Sequence, residues 1–156
     1  MLEIASSVGQ GTMVSLYLPT ADIALDASPR LEDPSQPRIL LVDDDILVRD
    51  ALEFQLVDAG YRVLPAASGS EAMIVFNSEG ADLLLTDLSM PGMDGVTLIA
   101  KVQEQAPGTP AILITGYAAE HMRFGDHGSF RLLRKPVTPA RLYEEVATSL
   151  QGRRAR

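Results

Sequence analysis

The sequence contains no cysteine, which excludes disulfides and thiolate metal centres and fits a reducing compartment, so the expected location is cytoplasmic. No run approaches the roughly 18 consecutive apolar residues of a membrane span, and no membrane contact is expected. The N-terminus lacks a basic segment leading into an apolar one, so no export signal is visible. Basic residues are outnumbered by acidic ones, 13 to 21. A net charge of −8 argues against a nucleic-acid surface, which needs clustered cations. The one basic cluster, the terminal GRRAR over 152–156, reads as a solubilising tail. What the chain does have is core material: 46% of its 156 residues are apolar, enough for one ordinary domain with length left over.

Two regions of different character meet near residue 37. Residues 19–37, PTADIALDASPRLEDPSQP, hold four prolines and little periodicity and read as a linker. Before it, GTMVSLYLP alternates, with Val14, Leu16 and Leu18 on one side and Met13, Ser15 and Tyr17 on the other; this is a single extra strand, ended by Pro19. After it, short aliphatic runs alternate with longer amphipathic segments. RILLVD, YRVLPA, ADLLLTD, PAILIT and RLLRK read as strands. Helices are expected over 46–59, with Val48, Leu52 and Leu56 on one face and Gly60 just past the end. Another opens at Ser68 with a capping box to Glu71 and runs to about Asn77. A third covers 95–105, and a last one starts at Pro139 with Thr138 as its N-cap and Leu142, Val146 and Leu150 inward. Strands that are aliphatic on both faces and alternate with helices imply an α/β fold, a doubly wound parallel sheet of five strands covered on both sides.

Such sheets bind ligands beyond the carboxyl ends of their strands. The residues at those ends are Asp43, Asp44 and Asp45 on the first strand, Asp87 on the third, Thr115 on the fourth and Lys135 on the fifth. At an effective dielectric of about 20, two like charges about 4 Å apart repel by roughly 4 kcal/mol, so an acidic rim needs a cation or a proton. Mg²⁺ takes one or two carboxylates together with water and phosphate oxygens, and Asp44 and Asp87 could supply them, with Asp43 orienting water or adding charge. One carboxylate could then act as a nucleophile toward a phosphoryl group, and Asp87, before the turn LSMPGMDG, is the best placed. Lys135 and the Thr115 hydroxyl suit the phosphoryl oxygens. Ordinary readings exist beside these. Asp45 reads as a helix N-cap, Lys135 before Pro136 could be a solvated loop lysine, and Thr115 before Gly116 could be simple turn chemistry. Joint placement, rather than any single residue, carries the chemistry.

ILLVDDD, LLLTDLSMPGMDG, AILITGY and LLRKPVTPARL resemble, in order and spacing, the signature segments of the response-regulator receiver domain, over residues 38–151. The resemblance implies a (βα)₅ flavodoxin-like fold and a phosphoacceptor aspartate that takes its phosphoryl group from a histidine-kinase phosphohistidine. It makes Asp87 the acceptor, and it makes Asp44, Asp87 and the Ser89 carbonyl ligands of Mg²⁺, assisted by Asp43 through water. It also makes Thr115 the switch hydroxyl and Lys135 the phosphoryl contact, and it implies a cis bond before Pro136. The implied partners are a histidine-kinase dimerisation and phosphotransfer domain, in cis or in trans, and a histidine phosphotransfer protein. Two departures stand out. Leu132 occupies the place of the family's rotating aromatic, with Phe130 and Tyr117 at other positions. Only 20 positions separate Thr115 from Lys135, and the weak periodicity between them predicts a fourth helix that is short, irregular or mobile. His121 and His127 in that stretch read as solvated loop residues rather than a metal pair. Ser89 and Tyr117 stand where family members control water access to the phosphoryl group.

SSVGQGTMVSLYLP, over residues 6–19, resembles the last glycine box and closing strand of a histidine-kinase ATP-binding domain, with Gly9, Gly11 and Thr12 matching. On that reading residues 1–18 are a kinase remnant and the chain is the tail of a hybrid histidine kinase, itself without kinase activity. A lone strand of this kind would pair with a sheet edge or with a second copy, so a homodimer through this segment or through the face of the last helix is among the expectations. Two other functions compete with phosphoryl acceptance. One is a phosphorylation-independent pseudo-receiver acting as an interaction module, favoured by Leu132. The other is a metal-dependent phosphatase, which would want a general acid where this chain has Ser89.

Overall fold

The computed structural model describes residues 2–7, 11–16, 35–116 and 130–154. The chain divides into two compact units, residues 1–33 and 34–156. In the first, strands β1 (Leu2–Ser7) and β2 (Gly11–Leu16) pair antiparallel, with Leu2 opposite Leu16 and Ser7 opposite Gly11. The expectation of a single unpartnered strand is therefore corrected. The strand ends at Leu16, its hydrogen-bonding partner lies within the chain, and Leu18 falls outside the described residues.

The second unit runs β3 (Arg38–Val42), α1 (Ile46–Asp58), β4 (Arg62–Ala66), α2 (Gly69–Glu79), β5 (Leu83–Asp87), α3 (Gly95–Gln105), β6 (Ala111–Thr115), β7 (Arg131–Arg134) and α4 (Pro139–Arg154). The five strands form one parallel sheet in the order β4-β3-β5-β6-β7. Each element follows from local chemistry. Asp45 caps α1 by accepting from the Leu47 and Val48 amides, and Ser68 caps α2 by accepting from the Glu71 amide. The Glu71 carboxylate returns to the Ala67 amide at 2.8 Å, closing a box displaced by one residue from the expected one. Asp94 caps α3 through the Thr97 amide. Gly60, at φ +88°, follows α1 with its amide on Val57 and that of Tyr61 on Leu56; a left-handed residue at this point is what ends many helices. The last helix continues past Leu150, the last residue of its expected apolar face, to Arg154. Basic residue types suit a helix's carbonyl end, so Gly152 alone does not stop it.

Alternate residues of the strands feed two cores. Leu40, Val42, Leu84 and Leu113 pack with Phe76 of α2 and Leu98, Ile99 and Val102 of α3. Ile39, Leu41, Leu83, Leu85, Ile112 and Ile114 pack on the opposite face with Leu52 and Leu56 of α1 and Leu142 and Val146 of α4. Each such side chain stabilises the fold by about 2 kcal/mol, and this doubly buried sheet tolerates charge only at its ends. Pro65 lies on edge strand β4, where its missing amide costs least. Among the described residues no helix is long and apolar enough to cross a membrane.

Candidate functional site

The chain leaves β3 through α1 to β4 on one side, then returns through α2 to β5 on the other. The strand order therefore reverses between β3 and β5, and their carboxyl ends flank the crevice where open α/β sheets take ligands. Asp87 is the last residue of β5 and Asp43 the first after β3. Both are buried, at 6% and 1% exposure. Lys135 follows β7 and reaches both. Its Nζ lies 2.5 Å from Asp87 Oδ1 and 3.8 Å from Asp43 Oδ2.

The two carboxylates are held differently. Asp87 Oδ2 accepts from the Ser89 amide at 2.7 Å, so both of its oxygens have partners. Asp43 Oδ1 accepts from the Asp45 amide at 2.9 Å, but its buried Oδ2 has no hydrogen bond. Burial, reinforced by the charges of Asp87 and Asp44, raises the Asp43 pKa against the lowering pull of the Asp45 amide and Lys135. For Lys135, burial works against the charged form, but the hydrogen bond to Asp87 and the charges of Asp87, Asp43 and Asp44 outweigh it and raise its pKa. Three carboxylates (−3) and one ammonium (+1) leave this rim at −2, short of positive charge.

Of the residues singled out from sequence, Asp43, Asp87 and Lys135 come together directly. Asp44 is exposed beside them and acts on Lys135 through its charge. Asp45 faces away as a helix cap. Ser89 enters through its amide. Thr115 is buried at the end of β6, where its backbone carbonyl accepts from the Lys135 amide at 2.8 Å. Its hydroxyl turns to the Gly116 carbonyl at 3.1 Å and not to the carboxylates. The Lys135–Pro136 bond is cis, as the resemblance implied. Leu132 is 40% exposed on β7, while Phe130 packs against the α2–α3 core. The expected fourth helix, Tyr117, His121 and His127 lie outside the described residues.

Two residues with a part in this site escaped the sequence reading. Gly95 lies so close behind Asp87 that a Cβ there would stand 2.2 Å from the Asp87 carbonyl oxygen and 2.7 Å from Leu113 Cδ1. Its only signal was its place in the turn MPGMDG. Arg49, one helical turn after Asp45, donates to the Asp43 carbonyl, a contact no local pattern announces.

The donor set fits a hard divalent cation. It offers carboxylate oxygens, one of them buried and lacking a hydrogen bond, around a site short of positive charge. Such an ion uses one or two carboxylates and completes its shell with water and phosphoryl oxygens; among the described residues no three acidic or imidazole groups form an all-protein cage.

Residues 39–147 match the response regulator receiver domain family. The chain is 37% identical over 115 residues to the transcriptional regulatory protein GlrR of Escherichia coli, covering 72% of this chain and 26% of that protein. It is 41% identical over 121 residues to an uncharacterised 14.6 kDa protein of Leptolyngbya boryana, covering 72% of this chain and 88% of that one. Among solved structures, a CheY-like response regulator receiver domain protein from Methanospirillum hungatei superposes with a TM-score of 0.71 at 31% identity, over 78% of this chain and 98% of that one. The chain thus spans about a quarter of the length of the transcriptional regulator and nearly all of the single-domain receiver. Receiver domains interact with histidine kinases and typically bind Mg²⁺. With the match running through every strand of the parallel sheet and both ends of the crevice, the chain belongs to the response regulator receiver domain family.

Proposed function

We propose that the second unit is a phosphoryl-accepting signalling domain that takes its phosphoryl group from a histidine-kinase phosphohistidine onto Asp87 and loses it slowly to water. The observation that carries this reading is the triad at the crevice: Asp87 tied to Lys135 at 2.5 Å, beside a buried Asp43 oxygen without a hydrogen bond. In the transfer, an Asp87 carboxylate oxygen forms a bond to phosphorus. The phosphorus–nitrogen bond of the donor breaks, and its electron pair stays on the imidazole nitrogen, which takes up a proton. Asp44, Asp87 and the Ser89 carbonyl would hold Mg²⁺, with Asp43 assisting through water, and the ion when bound would neutralise charge on the carboxylates and the phosphoryl oxygens. Lys135 releases Asp87 to contact a phosphoryl oxygen. The Thr115 hydroxyl turns from Gly116 to another, and this turn biases the population toward the signalling conformation.

Incubation with Mg²⁺ and acetyl phosphate tests the proposal. The expected result is a base-labile mass gain of one phosphoryl group, lost in Asp87→Asn. A chain that stays unmodified yet binds its kinase would instead support the phosphorylation-independent interaction module, the reading that exposed Leu132 at the aromatic's place favours. Rapid turnover of phosphate esters would point to a phosphatase.

We further propose that residues 1–18 derive from the end of a kinase ATP-binding domain and 19–37 from a linker. The chain would then be the cytoplasmic C-terminal receiver of a hybrid histidine kinase, supplied in cis or in trans and able to pass its phosphoryl group to a phosphotransfer protein. Gly9, Gly11 and Thr12, with Gly11 opening β2 against β1, support this origin. No ATP-dependent autophosphorylation is expected of this chain, and its detection would overturn that expectation.

A further inference from the structure

The β3–α1 loop spans only Asp43 to Asp45, yet it presents two of the site's carboxylates. Its path is pinned at three points. The Asp43 amide donates to the Ala66 carbonyl on the edge strand at 3.3 Å. The Asp45 amide donates to Asp43 Oδ1 at 2.9 Å. From outside the loop, Arg49 on α1, half-buried, donates through Nη1 to the Asp43 carbonyl at 2.7 Å.

The last contact is unusual in its choice of acceptor. Three aspartates precede Arg49 within six residues, but among the described residues it makes no ion pair with any of them. The guanidinium is spent on a peptide carbonyl instead. A charge-assisted hydrogen bond of this kind is stronger and more directional than a neutral one. It fixes the plane of the peptide joining Asp43 to Asp44, and that plane governs both side chains. With the plane held, Asp43 Oδ1 stays on the Asp45 amide and Oδ2 stays facing Lys135 Nζ, without a hydrogen bond of its own. If the plane turned, Asp43 would gain a conformation in which Oδ2 finds water and Asp44 swings away from the rim.

We infer that Arg49 is a positioning residue for the cation seat, holding the Asp43 carbonyl so that the Asp43 and Asp44 carboxylates remain presented to a divalent ion. The inference rests on the Mg²⁺ reading of the site given above. It differs in sign from the simplest electrostatic expectation. A guanidinium close to a cation site repels the cation, so a role through charge alone means that removing Arg49 tightens binding. A role through position means that removing it weakens binding, because the loop loses the orientation it holds before the ion arrives.

Calorimetric titration of MgCl₂ into the full chain, unsubstituted and as Arg49→Met, separates the two. Methionine keeps part of the stem and removes both donor and charge. The expected result is a dissociation constant about tenfold higher, the usual scale for losing a group that orients a ligand, with the thermal unfolding of the metal-free chain still cooperative. Unchanged or tighter binding overturns the inference. If the methionine variant does not fold, Arg49→Lys carries the test. It keeps the charge but has a shorter side chain without the planar fork. Weakening by threefold or more then supports the positioning role, and unchanged affinity overturns it. The two levels of the argument fail differently. An unsubstituted chain that takes up no Mg²⁺ overturns the cation reading and the role of Arg49 with it, whereas equal binding by chain and variant overturns only the role of Arg49.

Discussion

A buried aspartate stands at the carboxyl end of both β3 and β5, Asp43 just after the one strand and Asp87 as the last residue of the other, and the loops that follow treat it in opposite ways. After β5, the seven residues Leu88–Asp94 return over a glycine, and the Asp87 carboxylate is satisfied at both oxygens by Ser89 and Lys135. After β3, three residues suffice, and the Asp43 carboxylate keeps one buried oxygen without a hydrogen bond. The first loop is built by close backbone approach, with no room for a Cβ at Gly95. The second is built by hydrogen bonds from Asp45 and Arg49. On the function proposed above, the difference fits a division of labour. A carboxylate that is to act as a nucleophile is aimed and has its charge compensated by Lys135. One that is to help seat a cation keeps a buried oxygen without a hydrogen bond, which the ion would relieve.

The largest effect is expected where backbone meets backbone. Gly95→Ala meets both the Asp87 carbonyl and Leu113, and overpacking of this severity costs about 3 kcal/mol. The melting temperature should fall by about 10 °C, with phosphoryl uptake from acetyl phosphate falling alongside it. A melt within a degree or two of the parent's would show that the β5–α3 loop is not held as described.

Asp43→Asn probes the other loop, and here stability and binding should move in opposite directions. A carboxyl whose folded-state pKa is raised keeps its proton to higher pH in the folded chain than in the unfolded one. Between the ordinary aspartate value and the raised one, the folded state binds more protons, so the stability of the metal-free chain falls as pH rises through that window. Asparagine removes that loss. The variant should melt above the parent at neutral pH without metal, the advantage disappearing in acid, while Mg²⁺ affinity falls about tenfold. Calorimetry and melts across pH would check both, and a variant less stable than its parent at neutral pH would refute the idea of a strained, cation-seeking Asp43.

Asp45→Ala gives the smallest effect and sharpens the contrast within a single loop. Loss of the N-cap on Leu47 and Val48 should lower stability by about 1 kcal/mol. Mg²⁺ affinity should change less than twofold, because the carboxylate of Asp45 faces α1. A large loss of Mg²⁺ binding would move Asp45 from the helix to the site.

Much of this was readable along the chain. Parallel strands buried on both faces require unbroken aliphatic runs, and ILLV, LLL and AILI are such runs. The polar residues that end them mark the carboxyl rim, so Asp43, Asp87, Thr115 and Lys135 stand out by position alone. The caps at Asp45 and Ser68 and the stop at Gly60 are local chemistry, and local chemistry is what a linear pattern records. Less was readable at the N-terminus, where Leu2–Ser7 has only Leu2 and Ile4 as large apolar residues and ends in Ala-Ser-Ser, too few for an alternation that would reveal the partner of β2. The end of the last helix at Arg154 has no such signal either, since polar residues carry no periodicity once the buried face has ended at Leu150.

The sequence by itself therefore determined the class of fold, the order of its elements and the identity of the charged residues at the rim, because burial of both sheet faces and the capping of helix ends are demands each segment meets with its own residues. Only the tertiary structure decided which carboxylate is satisfied and which is left wanting, where the Thr115 hydroxyl points, and that Arg49 and Gly95 belong to the story. Those outcomes depend on distances between segments far apart in the chain, where a few tenths of an ångström separate a hydrogen bond from a buried oxygen with nothing to accept.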